Sequence, residues 1–179
     1  MTAHNGQATD HATEAKVKQH FGDRLVPCAA SALAGRRPLP RTHAFLTRLG
    51  LPRDAPLLVT FYAGDELLQP LTLRGETHWV VGDDYGTKIV VGFEEDVWSA
   101  DPEDRLPRRF INVNLAHFVL FLGFYEEAQC QSLRKANDDE SVRIVSELRA
   151  KFNERDRLAL ADEESWWSVV LEKTQQGLL

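Results

Sequence analysis

Between Leu57 and Ala100, short apolar runs alternate with compact polar breaks, the rhythm of a sheet rather than of helices. Leu57 to Phe61 ends at Ala63-Gly64-Asp65-Glu66. Leu67 to Leu73 ends at Arg74-Gly75-Glu76, and Thr77 to Val81 at Gly82-Asp83-Asp84-Tyr85-Gly86. Thr87 to Phe93 and Val97 to Ala100 follow, with Glu94-Glu95-Asp96 at the bend between them, and Arg109 to Val113 adds one more strand. Glycine beside Asp, Glu or Arg suits a chain that turns back on itself. Connections this short predict an antiparallel meander of about five to six strands, because parallel strands need crossovers of about a dozen residues.

Around this block the pattern changes to helical spacing. Thr42 is expected to cap a short helix over His43 to Leu49, with Phe45 and Leu49 on one face and Gly50 just past its end. Asn114 is placed to accept amide hydrogen bonds at the start of a helix over Leu115 to Ala128, which is apolar nearly all round and therefore buried. Asp138, Asp139 and Glu140 lead into a helix with Val142, Val145, Leu148 and Phe152 inward. Asp162 opens a last one over Glu163 to Gln176, stopped at Gly177, with Trp166, Val169 and Val170 inward. The fold class is α+β. Residues 1–20 read as a polar, flexible leader and residues 21–179 as a single domain. Lys16 to Phe21 at most begins a short helix, and Gly35 to Pro40 is a surface loop.

Composition narrows the function classes. Hydrophobic residues are 43% and charged residues 27%, so a full core can form and disorder is confined to the ends. No apolar run approaches the roughly 20 residues that span a bilayer, and the start of the chain lacks a signal-peptide core; a cytoplasmic protein without membrane association is expected. A net charge of -6 opposes general nucleic-acid affinity and favours a basic protein partner. Oligomeric state has no sequence signature here.

Candidate chemistry is sparse. Cys28 and Cys130 are far apart, with no CxxC and no histidine spacing that would gather a metal, so neither a disulfide, a metal nor another cofactor is expected. There is no GxSxG elbow and no GxxxxGK[ST] loop. Three of the six histidines, His4, His11 and His20, fall in the leader, and His78 and His117 are the two near core elements. A hydrolase or metal enzyme built from His78, His117 and an acidic pair would require them to converge in one pocket; the expectation is a protein that is not an enzyme. Trp79 and Trp98 lie in strands and Trp166 and Trp167 in the last helix, and at least one of each pair should face the core.

The order of these elements, with several local phrases, resembles the SUKH superfamily and within it the fourth SUKH subfamily of polymorphic-toxin immunity proteins. The phrases are Phe21-Gly22, Phe45-Leu46 through Gly50-Leu51-Pro52, Val81-Gly82-Asp83-Asp84-Tyr85-Gly86, Val97-Trp98, Asn112-x-Asn114-Leu115 running into Phe118 and Leu122, and Trp166 with Gly177. Two departures stand out: Glu94-Glu95-Asp96 where a glycine-containing bend was expected, and Val113-Asn114 where two small polar residues were. The resemblance implies a domain that binds and neutralises a cognate toxin domain by protein–protein contact; the leading expectation is a toxin enzyme, for example a nuclease or a nucleic-acid deaminase. The alternative it leaves open is an intracellular adaptor or scaffold with a non-toxin partner. An acidic surface that mimics phosphate would speed association with a basic toxin, which makes Asp83, Asp84, Glu94, Glu95 and Asp96 the expected contacts.

Overall fold

The computed structural model describes residues 3–34, 39–55, 58–131 and 138–179, with the backbone alone for 3–10, 131 and 138. Its centre is an antiparallel sheet of β3 (Thr60–Phe61), β4 (Gln69–Leu73), β5 (Glu76–Asp84), β6 (Thr87–Val91), β7 (Val97–Ala100) and β8 (Arg109–Asn112). The strand order is β3-β5-β6-β7-β8, and β4 also pairs with β5. Two-residue turns close the β4–β5 and β5–β6 hairpins, with positive φ at both central residues: 50° and 82° at Arg74-Gly75, 44° and 107° at Tyr85-Gly86. That is the turn whose twist matches paired strands. It shortens the expected Gly82–Gly86 break, because Gly82, Asp83 and Asp84 belong to β5.

Gly82 has a different task from turning. There β3 takes over the β5 edge that β4 has left, and a Cβ on Gly82 would lie 2.5 Å from the Thr60 carbonyl oxygen. The register of β5 against β6 also shifts between Val80 and Gly82. The predicted strand Leu57–Phe61 shrinks accordingly to Thr60–Phe61, with Leu58 and Val59 buried before it and Leu57 outside the described residues. On β4, the closing pair Leu73↔Glu76 is hydrogen-bonded as in any two-residue hairpin, so alternation directs the nitrogen of Pro70 away from β5. The exposed Pro70 thus costs the ladder nothing.

Strand alternation sends Trp79, Val81, Ile89, Val91, Val97 and Ile111 into the main core beneath the helices. Leu73, Val80, Val90 and Ala100 form a second, smaller cluster with Tyr62, Leu71 and Trp98. The β7–β8 connection covers this second face. Asp101 folds it by accepting the amides of Glu103 (3.0 Å) and Arg105 (3.1 Å). Asp104 pins it to the β4–β5 turn, accepting from the amide (3.2 Å) and Nε (3.1 Å) of Arg74. Arg108 then returns over the Trp98 ring at 5.1 Å.

The helical layer is α1 (Ala3–Phe21), α2 (Ala30–Leu33), α3 (Pro40–Arg48), α4 (Leu115–Gln131), α5 (Asp138–Arg155) and α6 (Trp166–Gln175), and a two-stranded ribbon joins β1 (Leu25–Val26) to β2 (Leu51–Pro52). As its composition predicted, α4 is buried on nearly every side: Leu115, Ala116 and Phe118 to Leu122 are all core. Asn114 caps it, its side-chain oxygen accepting the His117 amide at 2.9 Å. Asn112 ties β8 to the helices. Its oxygen accepts from Trp167 Nε1 (2.9 Å) and its amide donates to Asp156 (2.9 Å), which also takes the Val113 amide (2.9 Å).

The flexible leader gives way to α1. Thr13, Val17 and Phe21, at four-residue spacing, are buried, and α1 packs on α4. Past its end Arg24 meets Glu126 of α4 in a two-pronged pair (2.7 and 2.6 Å), with His20 Nε2 on the same carboxylate at 3.0 Å. The Arg24 hydrogen bonds hold the Glu126 carboxyl below its ordinary range. Three smaller expectations also change. Pro40 rather than Thr42 begins α3, and Thr42 is buried inside it; Val142 faces outward while Ile144, Val145, Leu148 and Phe152 face the core; and α6 starts at Trp166, after an Asp162 turn that accepts the Glu164 amide. Of the Gly35–Pro40 loop, residues 35–38 lie outside the described residues.

Candidate docking surface at the two ends of the sheet

The five carboxylates expected as partner contacts fall at two places in the sheet. Asp83 and Asp84 lie beside the β5–β6 turn, and Glu94, Glu95 and Asp96 lie in the β6–β7 bend at the opposite end of β6. The separation is about 16 Å, five residues at roughly 3.3 Å each.

At the first end, successive side chains point to opposite faces. Asp84 turns toward the helices and accepts Trp166 Nε1 at 2.7 Å. Burial raises its carboxyl above the ordinary range, with Asp83 adding to the effect and the Trp166 bond opposing it. Asp83 meets Lys88 Nζ at 3.3 Å, and the same ammonium donates to Tyr62 Oη at 2.5 Å. Those two bonds hold Lys88 above its usual pKa, the Tyr62 bond contributing more. At the tip Tyr85 is 84% exposed.

At the second end, Glu95 departs from expectation. Its φ of 67° swings the side chain inward, leaving the residue 7% exposed. The carboxylate accepts the Thr42 amide at 2.6 Å and the Arg41 amide at 3.1 Å. These are among the first amides of α3, which have no acceptor within the helix. Pro40 supplies none, and Thr42 does not cap its own helix, so Glu95 closes α3 from a distant loop and is removed from the exposed set. Its neighbours point outward: Glu94 is exposed, Asp96 half-buried and Phe93 65% exposed.

Phe93, Glu94 and Asp96 border a cleft of about 460 Å³ that Glu76, His78, Trp98 and Arg108 complete. His78 is 2% exposed, and Arg108 Nη1 contacts its Nε2. A guanidinium only donates, so Nε2 is the acceptor and the ring proton sits on Nδ1, facing the Glu76 carbonyl at 3.3 Å. Burial, then the Arg108 charge, lower the His78 pKa and keep the ring neutral. Arg108 also pairs with the Glu76 carboxylate at 3.1 Å.

His78 and His117 are not brought together. His78 lies in this cleft, whereas His117 sits in the first turn of α4, its Nδ1 3.0 Å from the Asn114 oxygen. Among the described residues, no three His, Cys, Asp or Glu side chains are placed to share a metal ion, and no helix is long and apolar enough to cross a membrane.

A family model described as SUKH-4 immunity protein matches residues 12–173. The chain belongs to that family. The SUKH-4 match runs from within α1 to within α6, enclosing every phrase that carried the resemblance except Gly177. No curated protein and no solved structure matches the chain.

For this SUKH-4 protein, sequence reasoning found the acidic bend but not the cleft behind it. Two signals were available: Glu76 and His78 fall two apart on β5 and so share a face, and Trp98 faces the same side from β7. Arg108 gave none, because it arrives from a connection whose path follows no periodicity. Of the four tryptophans, Trp79, Trp166 and Trp167 are buried and Trp98 is half-buried on the second face.

Proposed function

We propose that this SUKH-4 immunity protein neutralises a toxin with a basic surface, a nuclease or nucleic-acid deaminase, by a one-to-one contact through the two ends of its sheet. The observation that carries the reading is that each end pairs an exposed aromatic ring with carboxylates: Tyr85 with Asp83 and Asp84, Phe93 with Glu94 and Asp96. An aromatic ring supplies apolar area at small entropic cost, and flanking negative charge steers a positive surface into register. At a separation of about 16 Å, both ends fit a standard footprint of about 800 Å² per partner. Blocking a catalytic surface in the cytoplasm, where nucleic acid is the toxin's substrate, requires no chemistry of the immunity protein itself.

The test begins with co-purification of the tagged chain from its native cells and mass spectrometry of what stays bound. A recovered toxin domain is then titrated with the wild type and with a D83N/D84N/E94Q/D96N variant. At low salt the variant should associate about tenfold or more slowly, and added salt should slow the wild type toward it. Equal association rates would show that these carboxylates do not steer the partner.

A further inference from the structure

One wall of the cleft at the second end of the sheet is a side chain that no strand supplies. Arg108 arrives from the β7–β8 connection and lies over the Trp98 ring at 5.1 Å. Its Nη1 pairs with the Glu76 carboxylate at 3.1 Å and donates to His78 Nε2. The three contacts are unequal. The Glu76 side chain is 65% exposed, so water and salt screen that pair, and a single ring contact at a wet rim is weak as well. His78, 2% exposed, is the buried anchor.

That anchor exists in one protonation state only. A neutral imidazole with its proton on Nδ1 offers Nε2 as an acceptor, whereas an imidazolium offers a second donor, which a guanidinium has no lone pair to answer. The charged groups around the ring are Arg108 from the β7–β8 connection, Glu76 on its own strand with Oε2 4.0 Å from Nε2, and Asp96 with Glu94 from the β6–β7 bend. Opposite it β4 sets Leu71, which adds no charge. Burial, and after it Arg108, favour the neutral ring; Glu76 and Asp96 act the other way. We infer that His78 is an acid-sensitive catch: when Nε2 takes a proton from solvent, its bond to Arg108 is lost, the imidazolium pairs with the Glu76 carboxylate, and the guanidinium leaves the Trp98 ring and widens the cleft. Glu94 and Asp96 border the same cleft, so the catch also places the docking end described above under the control of pH. That consequence rests on the toxin reading; the catch itself does not.

In the full chain labelled with ¹³C and ¹⁵N, the His78 ring nitrogens and the nuclear Overhauser contacts between the Arg108 side chain and the Trp98 ring are followed as pH is lowered from 8. Those contacts should disappear with the midpoint at which Nε2 is protonated, and that midpoint should lie below the ordinary value of about 6.5. In R108M, which removes the charge and keeps the apolar stem, His78 should titrate at higher pH. In H78Q the Arg108–Trp98 contacts should not change with pH. Contacts that survive protonation of the ring, a His78 midpoint unmoved in R108M, or loss of the folded spectrum before the ring titrates would each overturn the inference. A second arm uses the toxin domain recovered by co-purification: acidification through the His78 midpoint should weaken its binding to the wild type about threefold more than to H78Q, the scale of one solvent-facing charge. An equal loss in both proteins would overturn the control of docking and leave the catch standing. Recovery of no toxin, with Arg108 still released in acid, would overturn the toxin reading and leave the catch standing.

Discussion

Replacing Glu95 by glutamine changes the charge at the start of α3 and almost nothing else. Glutamine keeps the length of the side chain and one acceptor oxygen, but sets an NH₂ group where the second oxygen met a backbone amide. The carboxylate accepts Thr42 at 2.6 Å and Arg41 at 3.1 Å from a residue only 7% exposed, so water cannot easily replace it. A negative charge at a helix N-terminus contributes about 0.3–1 kcal/mol, rising to about 2 when partly buried. An orphaned buried amide costs about 1–3 kcal/mol. The expected loss for E95Q is therefore about 2 kcal/mol, measured by urea denaturation at unchanged m, or about 4–8 °C in Tm for a chain of this size. The φ of 67° supplies an internal control. E95A loses the cap and keeps the left-handed strain, whereas E95G loses the cap and relieves about 1 kcal/mol of strain, so E95A should be the less stable of the two. A loss below about 0.5 kcal/mol for E95Q would refute the capping role. So would E95Q slowing toxin association as much as E94Q does, since a buried cap does not meet the partner first.

Two further outcomes follow from the geometry. Tyr85 holds a φ of 44° in a turn that favours Asn-Gly, so Tyr85→Asn should raise stability by about 0.5–1 kcal/mol while weakening toxin binding; a stability gain with unchanged affinity would remove Tyr85 from the interface. His78 has a lowered pKa in the folded chain, so between its ordinary value of about 6.5 and that lower value the unfolded chain binds the extra proton and stability falls as pH falls. Urea denaturation between pH 7.5 and 5 should show a steeper loss for the wild type than for His78→Gln, and parallel slopes would show that the ring is not held neutral.

What the sequence made legible was local. The β4–β5 and β5–β6 hairpins announce themselves because glycine falls where positive φ is required, and α4 because it is apolar on every face. The failures share a different cause. In α1 only Val17 and Phe21 contribute large apolar side chains among many polar ones, so its burial depends on the ready-made surface of α4 rather than on its own periodicity. Gly82 looks like turn punctuation but permits the close approach of β3. Glu95 is acid in an acid-rich bend until α3 arrives, more than fifty residues away in sequence, with two amides to satisfy. Asp83 and Asp84 read as neighbours in one turn, yet alternation gives them different surroundings, Lys88 for one and Trp166 for the other.

Pro70 bears on how the free edge of β4 meets other chains. Exposed strand edges invite copies of a chain to zip together, and the hazard grows with concentration. On the outer side of β4 the residues whose amides face away from β5 are Pro70 and Thr72, and proline has no amide hydrogen to offer. A second copy approaching that edge finds one donor where a regular strand would present two. That edge is therefore a poorer template for a second copy than a regular strand, and under the proposed docking the partner would meet side chains at the tips, which can be exchanged without rewriting the ladder that carries them.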